Sequence, residues 1–164
     1  MSALAPSRSA AALQALVGWQ STEARWQAFW DRWSDGQILS THWLRRDAAQ
    51  FKLTWFGGEL QLEFTYEPGT LTAPETWALR SLTLIAPEGR RPGLDWGVGI
   101  DLLSADLGSV ERHLGVSSRR HANGASFFLS RPDGVELAIQ LDWISGYTGA
   151  LRAYTIASLG APKG

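Results

Sequence analysis

Hydrophobic and polar positions along this chain follow two periods, and the same succession of periods occurs twice. Glu59 to Tyr66 alternates strictly, with Leu60, Leu62, Phe64 and Tyr66 apolar, and Glu136 to Trp143 does the same with Leu137, Ile139, Leu141 and Trp143. A Gly turn and a strand-like stretch precede each run. Phe51 to Tyr66 reads FKLTWFGGELQLEFTY and Phe127 to Trp143 reads FFLSRPDGVELAIQLDW, matching position by position once one residue is added at the second turn. In this alignment Glu59 corresponds to Glu136, and Tyr66 to Trp143. A third strand follows in both copies, Ala78 to Ala86 (ALRSLTLIA) and Ala150 to Ser158 (ALRAYTIAS). Upstream, each copy has a helix-like segment and an Arg pair, Arg45-Arg46 and Arg119-Arg120, so the pattern predicts a helix-strand-strand-strand unit present twice.

The helical period is clearest from Glu23 to Trp33, where Trp26, Phe29, Trp30 and Trp33 fall on one face, with Ser21 or Thr22 as cap and Ser34-Asp35-Gly36 as stop. A shorter helix is expected within Ala10 to Trp19, carried by Leu13, Leu16 and Val17. The second unit's helix is expected after Ser104 as N-cap, with Asp106 in its first turn, Leu107, Val110 and Leu114 as its stripe, and Gly115 as its stop. Strands are expected at Ile38 to Arg46, Ala49 to Phe56, Glu59 to Tyr66, Trp77 to Ala86, Ser117 to His121, Ala125 to Arg131, Val135 to Trp143 and Ala150 to Ser158. Pro132-Asp133-Gly134 suits a tight hairpin turn.

These elements divide the chain into a leader with a short helix (1–20), a first α+β unit (21–86), a Pro- and Gly-rich joint (87–93), a second unit (94–159) and a tail (160–164). The expected fold is α+β: two similar units forming one broad antiparallel sheet, with helices on its apolar face and the other face open. The open face collects Glu59, Gln61, Glu63, Thr65, Glu136, Gln140 and Asp142, joined by Lys52, Thr54, Ser81, Thr83, Ser130 and Thr155.

Composition narrows the function. With 164 residues and a formal net charge of -1, the chain carries no global electrostatic signature, and its Arg pairs are isolated, so nucleic acid is not the expected partner. It has no cysteine, which removes disulfides and thiolate metal sites. Neither a secretory signal nor a membrane-length apolar run is recognisable, and a cytoplasmic location is expected. The unusual number is nine tryptophans, most of which are expected to fill the core, with surplus aromatics available as interface anchors.

Gly99 to Gly115, a Gly-hydrophobic lead into a capped helix ending Val-x-x-x-Leu-Gly, resembles the opening of small helix-plus-sheet modules of the SmpA/BamE lipoprotein type. Tandem copies of such a unit resemble the beta-lactamase inhibitor protein, whose open sheet grips its enzyme. Small cysteine-free folds of this kind are similar to bacterial toxin-immunity proteins. The resemblance implies a binder of one cognate protein, a toxin or enzyme domain.

No catalytic motif stands against that implication. His42, His113 and His121 fall on a strand, a helix end and a strand end without metal-ligand spacing, and Gly97-Val98-Gly99 lacks the third glycine of a dinucleotide loop. No cofactor or metal is expected. The reading is a protein-binding inhibitor, most simply an immunity protein acting by occlusion, with Trp77, Trp96 and Tyr147 as anchors and Glu59, Glu63, Glu136 and Asp142 facing a basic partner surface. The alternative is a small-molecule or lipid-binding domain with an aromatic-lined pocket.

Overall fold

The three-dimensional description rests on a computed structural model and covers residues 9–20, 50–55, 58–67, 69–73, 76–86, 95–144 and 151–163. The expected Trp-rich helix, the strand at 38–46, Arg45-Arg46 and Tyr147 lie outside these residues. Seven strands, β1 (Gln50–Trp55), β2 (Leu60–Glu67), β3 (Thr76–Ile85), β4 (Arg119–His121), β5 (Gly124–Ser130), β6 (Glu136–Trp143) and β7 (Leu151–Leu159), form one open sheet in the order β1-β2-β3-β7-β6-β5-β4. Every neighbouring pair is antiparallel. Among the described residues two helices accompany it, α1 (Ala11–Leu16) and α2 (Leu107–Leu114). The class is α+β, mostly sheet.

Alternation places Leu60, Leu62 and Phe64 of β2 and Leu137, Ile139, Leu141 and Trp143 of β6 in the core. They share one hydrophobic cluster with Leu82 and Leu84 of β3, Tyr154 and Ile156 of β7, Leu13 and Leu16 of α1, and Leu107 and Val110 of α2. Among the described residues no polar or charged residue is classed as buried, so this core is held by apolar burial, at about 25 cal/mol per Å² removed from water.

The register corrects part of the repeat alignment. Thr83 stands opposite Thr155, and pairs step away from it evenly: Leu82 with Ile156, Leu84 with Tyr154. The correspondence of ALRSLTLIA with ALRAYTIAS is therefore also a two-fold arrangement in space. Each of these strands carries one extra residue against its hairpin partner. On β3 it is Arg80, between the pairs Glu63–Ser81 and Phe64–Leu79; on β7 it is Arg152, between Asp142–Ala153 and Trp143–Leu151. The bulges thus make Phe64 the counterpart of Trp143, and Glu63 that of Asp142. The sequence alignment had matched Tyr66 to Trp143, two residues away, because any even slip of an alternating strand preserves its apolar face.

The capping of α2 also differs from expectation. Asp106, not Ser104, is its N-cap: its backbone is extended, with φ -82° and ψ 169°, and its carboxylate accepts the Ser109 N–H at 2.7 Å. Hydrogen bonds from Ser109 hold the Asp106 carboxyl below the usual carboxylate value. Ser104 belongs to the preceding turn, donating to the Asp101 carboxylate at 2.8 Å. The helix ends as expected at Gly115, whose φ of 72° is left-handed. Nearby, His113 Nε2 lies 2.7 Å from the Val98 carbonyl, so the ring donates there and ties the helix end to the lead-in loop.

One polar cluster fastens the chain ends to the sheet. The β5–β6 hairpin turns through Arg131 to Val135, with the Gly134 N–H donating to the Arg131 carbonyl at 2.9 Å and Gly134 at φ 85°. Arg131 donates to the Gln14 and Val17 carbonyls at the end of α1, at 2.8 and 2.7 Å, and pairs with Asp133 at 2.8 Å. Asp133 also accepts the Trp19 indole N–H at 2.8 Å. Lys163 in the tail donates to the Asp133 carbonyl at 3.2 Å. Gly18, at φ 94°, donates to the Leu79 carbonyl and accepts from the Lys163 N–H, both at 2.8 Å.

Two outcomes follow. Hydrogen bonds from Arg131 and Trp19 outweigh partial desolvation and hold the Asp133 carboxyl well below its ordinary 3.8. A carboxyl lowered in the folded state contributes stability above its unfolded pKa and loses it as pH falls. Denaturant unfolding should therefore show Asp133→Asn less stable than the parent by about 1–3 kcal/mol near neutrality, with the gap shrinking as pH falls below about 4. Gly18→Ala should cost about 2 kcal/mol or more in the same assay, since an added Cβ would lie 2.7 Å from Val135 Cγ1 on left-handed backbone.

Candidate functional site

Away from the core, the sheet presents a second face built by the same alternation. Gln61, Thr83, Thr155, Gln140, Ser126 and Arg119 stand opposite one another, strand by strand, from β2 to β4. Beside this row on one side run Glu63, Ser81, Ala157, Ala138 and Phe128. On the other side run Ile85, Ala153, Asp142, Gly124 and His121. The centre is made of Ala, Ser and Thr. The Thr83 and Thr155 hydroxyls meet at 3.1 Å across the two-fold position. The small side chains make this middle low, and the larger polar groups stand around it.

The acidic residues expected to act together are dispersed. Glu63 and Asp142 occupy equivalent positions in the two halves, separated by three strand spacings of about 4.8 Å and four residues of about 3.3 Å, roughly 20 Å apart. That is beyond the separation at which two carboxylates divide acid and base roles. It suits a distributed negative field. Gln140 holds Asp142 in place, its amide 3.2 Å from the carboxylate. Glu136 is exposed at the far end of β6, where it accepts from the Ser130 hydroxyl. Glu59 is half-buried in the turn before β2, and its carbonyl accepts the Ile85 N–H at 2.8 Å.

The tryptophan anchors separate as well. Trp96 is only 8% exposed and belongs to the core cluster, so it offers no surface to a partner. Its carbonyl accepts from the Gln14 amide at 2.6 Å, which explains its burial: the loop carrying it is tied beneath α1. The position beside the Pro- and Gly-rich joint had suggested exposure. Trp77 is half-buried, edge-on to Phe64 with ring centroids 5.3 Å apart and planes at 84°. It lines a half-open depression of about 180 Å³ with Gln20, Thr65, Glu67, Thr76, Ala78 and Pro162.

The exposed aromatic of this face is one the sequence reading passed over. Phe128 is 51% exposed, with the Arg119 guanidinium 5.7 Å from its ring centroid. Leu159, two strands away, is 48% exposed. A signal was available, since adjacent Phe127 and Phe128 in one strand must point to opposite faces. His121 and Ser126 also meet here, Nε2 to hydroxyl at 3.4 Å. Among the described residues no group of three or more metal-ligating side chains occurs, and no helix is long and apolar enough to cross a membrane.

No protein-family model matches the chain, and neither any curated protein nor any solved structure matches it.

Because Trp77 packs on Phe64, Trp77→Ala is expected to lower unfolding stability by about 1–3 kcal/mol, less than a fully buried aromatic would cost. Chemical denaturation checks this, and a loss near zero would make Trp77 a surface residue instead.

Proposed function

We propose that this protein is a protein-binding inhibitor, an immunity protein that neutralises one toxin or enzyme domain by covering its active site. The observation that carries the reading is the second sheet face: a low centre of Ala, Ser and Thr, with Glu63 and Asp142 set across it at equivalent positions. A face of this shape admits close approach of a partner's surface, and its dispersed carboxylates attract a basic one. The architecture behind it is a duplicated strand-strand-strand unit with its helix, supported by the Thr83–Thr155 register and the matched bulges at Arg80 and Arg152. The contact set is Glu63, Asp142 and Glu59, with Trp77 at the margin and Glu136 at the far end.

The alternative of a small-molecule or lipid pocket draws less support. The depression beside Trp77 is shallow and half-open, with room for about one water molecule, whereas ordinary ligand sites enclose roughly 300–1,000 Å³.

Affinity capture with the tagged chain, followed by mixing with the captured protein, tests the reading. The expected result is one stoichiometric partner whose activity falls on mixing, and a Glu63→Lys, Asp142→Lys double variant that keeps its melting temperature but binds at least about tenfold more weakly. A partner that keeps full activity when bound would remove the inhibitor reading, and unchanged affinity in the double variant would remove this face.

A further inference from the structure

Independently of any cognate partner, we infer that the corner of the sheet around Phe128 is the contact of a two-fold homodimer. Phe128 pairs with Ala138, whose other neighbour is Ala157, so a flat apolar floor lies beside the ring. Leu159 closes that floor two strands away. Phe128 and Leu159 are half-exposed, at 51% and 48%, and stand at either side of this small-residue floor. An exposed aromatic backed by Arg has the composition of an interface hot spot.

The charges select the occupant. Arg119 lies one strand to one side of Phe128 and two residues along, because it pairs with Ser126. Glu136 lies one strand to the other side and two residues the opposite way, because Ala138 is the partner of Phe128. Phe128 is therefore the midpoint of a diagonal, with a positive charge about 8 Å off at one end and a negative charge about 8 Å off at the other. Two such faces laid together, related by a two-fold axis that crosses this diagonal at Phe128, put the two Phe128 rings in contact and each Arg119 over Glu136 of the partner subunit. The patch is self-complementary, which is the requirement of an isologous interface. A uniformly basic or acidic partner would satisfy one end and repel the other. The net charge of -1 sets up little repulsion between whole copies.

Sedimentation equilibrium over a concentration series tests this, using the full chain. The expected result is a reversible monomer–dimer equilibrium. Phe128→Ala should weaken dimerisation by about a hundredfold, because the ring is used by both copies at the axis. Arg119→Glu and Glu136→Arg should each weaken it by at least about tenfold, and the double swap should restore most of the loss. All three positions are on the surface, and circular dichroism melting confirms that each variant is folded. A monomer at every concentration overturns the proposal, as does a dimer indifferent to Phe128→Ala or a double swap that fails to recover. The two readings fail separately: the dimer is read from self-association of the chain alone, and the inhibitor reading from the activity of a partner and its response to the Glu63→Lys, Asp142→Lys variant, although Glu136 and the Ala138–Ala157 floor are shared by both.

Discussion

The pairing of β3 with β7 is the contact on which the rest of the sheet depends. Each half of the chain can close its own strands locally, β1-β2-β3 on one side and β4-β5-β6-β7 on the other, through short connections. Only the register Ser81–Ala157 through Ile85–Ala153 makes them one surface. It joins residues distant along the chain, 72 positions apart at Thr83 and Thr155, so its closure entropy must be offset by what it buries. What it buries is Leu82, Leu84, Tyr154 and Ile156, all within the core. Tyr154 brings a hydroxyl into that environment, and burial pushes its pKa up, keeping it a neutral donor towards Gln14 at 3.5 Å.

The bulges at Arg80 and Arg152 have a matching consequence. Without them, alternation would carry Leu79 and Leu82 to opposite faces. The extra residue resets the parity, so Leu79, Leu82 and Leu84 remain inward, as do Leu151, Tyr154 and Ile156, while Arg80 and Arg152 project to solvent. The bulge also increases local twist. Around that sheet, the Arg131–Asp133 pair collects the N-terminal segment and the tail at one hairpin tip. Single charged residues are costly in a half-buried place, and here each has partners for its hydrogen-bonding groups.

The two sheet faces differ in relief and charge: one is closed by apolar packing, and the other has a low centre with carboxylates far apart and an aromatic corner with opposed charges. The occlusion proposed for this protein needs broad complementarity more than a precise constellation, and an open antiparallel sheet is a surface suited to that proposal.

The sequence by itself determined the strands, their inward faces, the PDG turn and the stop at Gly115, because alternation, turn chemistry and glycine's left-handed freedom are local. Leu60, Leu62, Leu137 and Ile139 could be assigned inward from period alone. Tertiary structure alone decided the rest. Pairing register is a long-range choice that an alternating strand satisfies equally well at every even slip, so the equivalence of Phe64 with Trp143, and of Glu63 with Asp142, required the bulges to be seen. Whether a tryptophan is core or surface depends on what lies above it, and Trp96 is buried in the core cluster on a loop whose backbone is hydrogen-bonded by Gln14, a residue 82 positions away. The place of Phe128 between Arg119 and Glu136 joins three strands, and no window along the chain contains it.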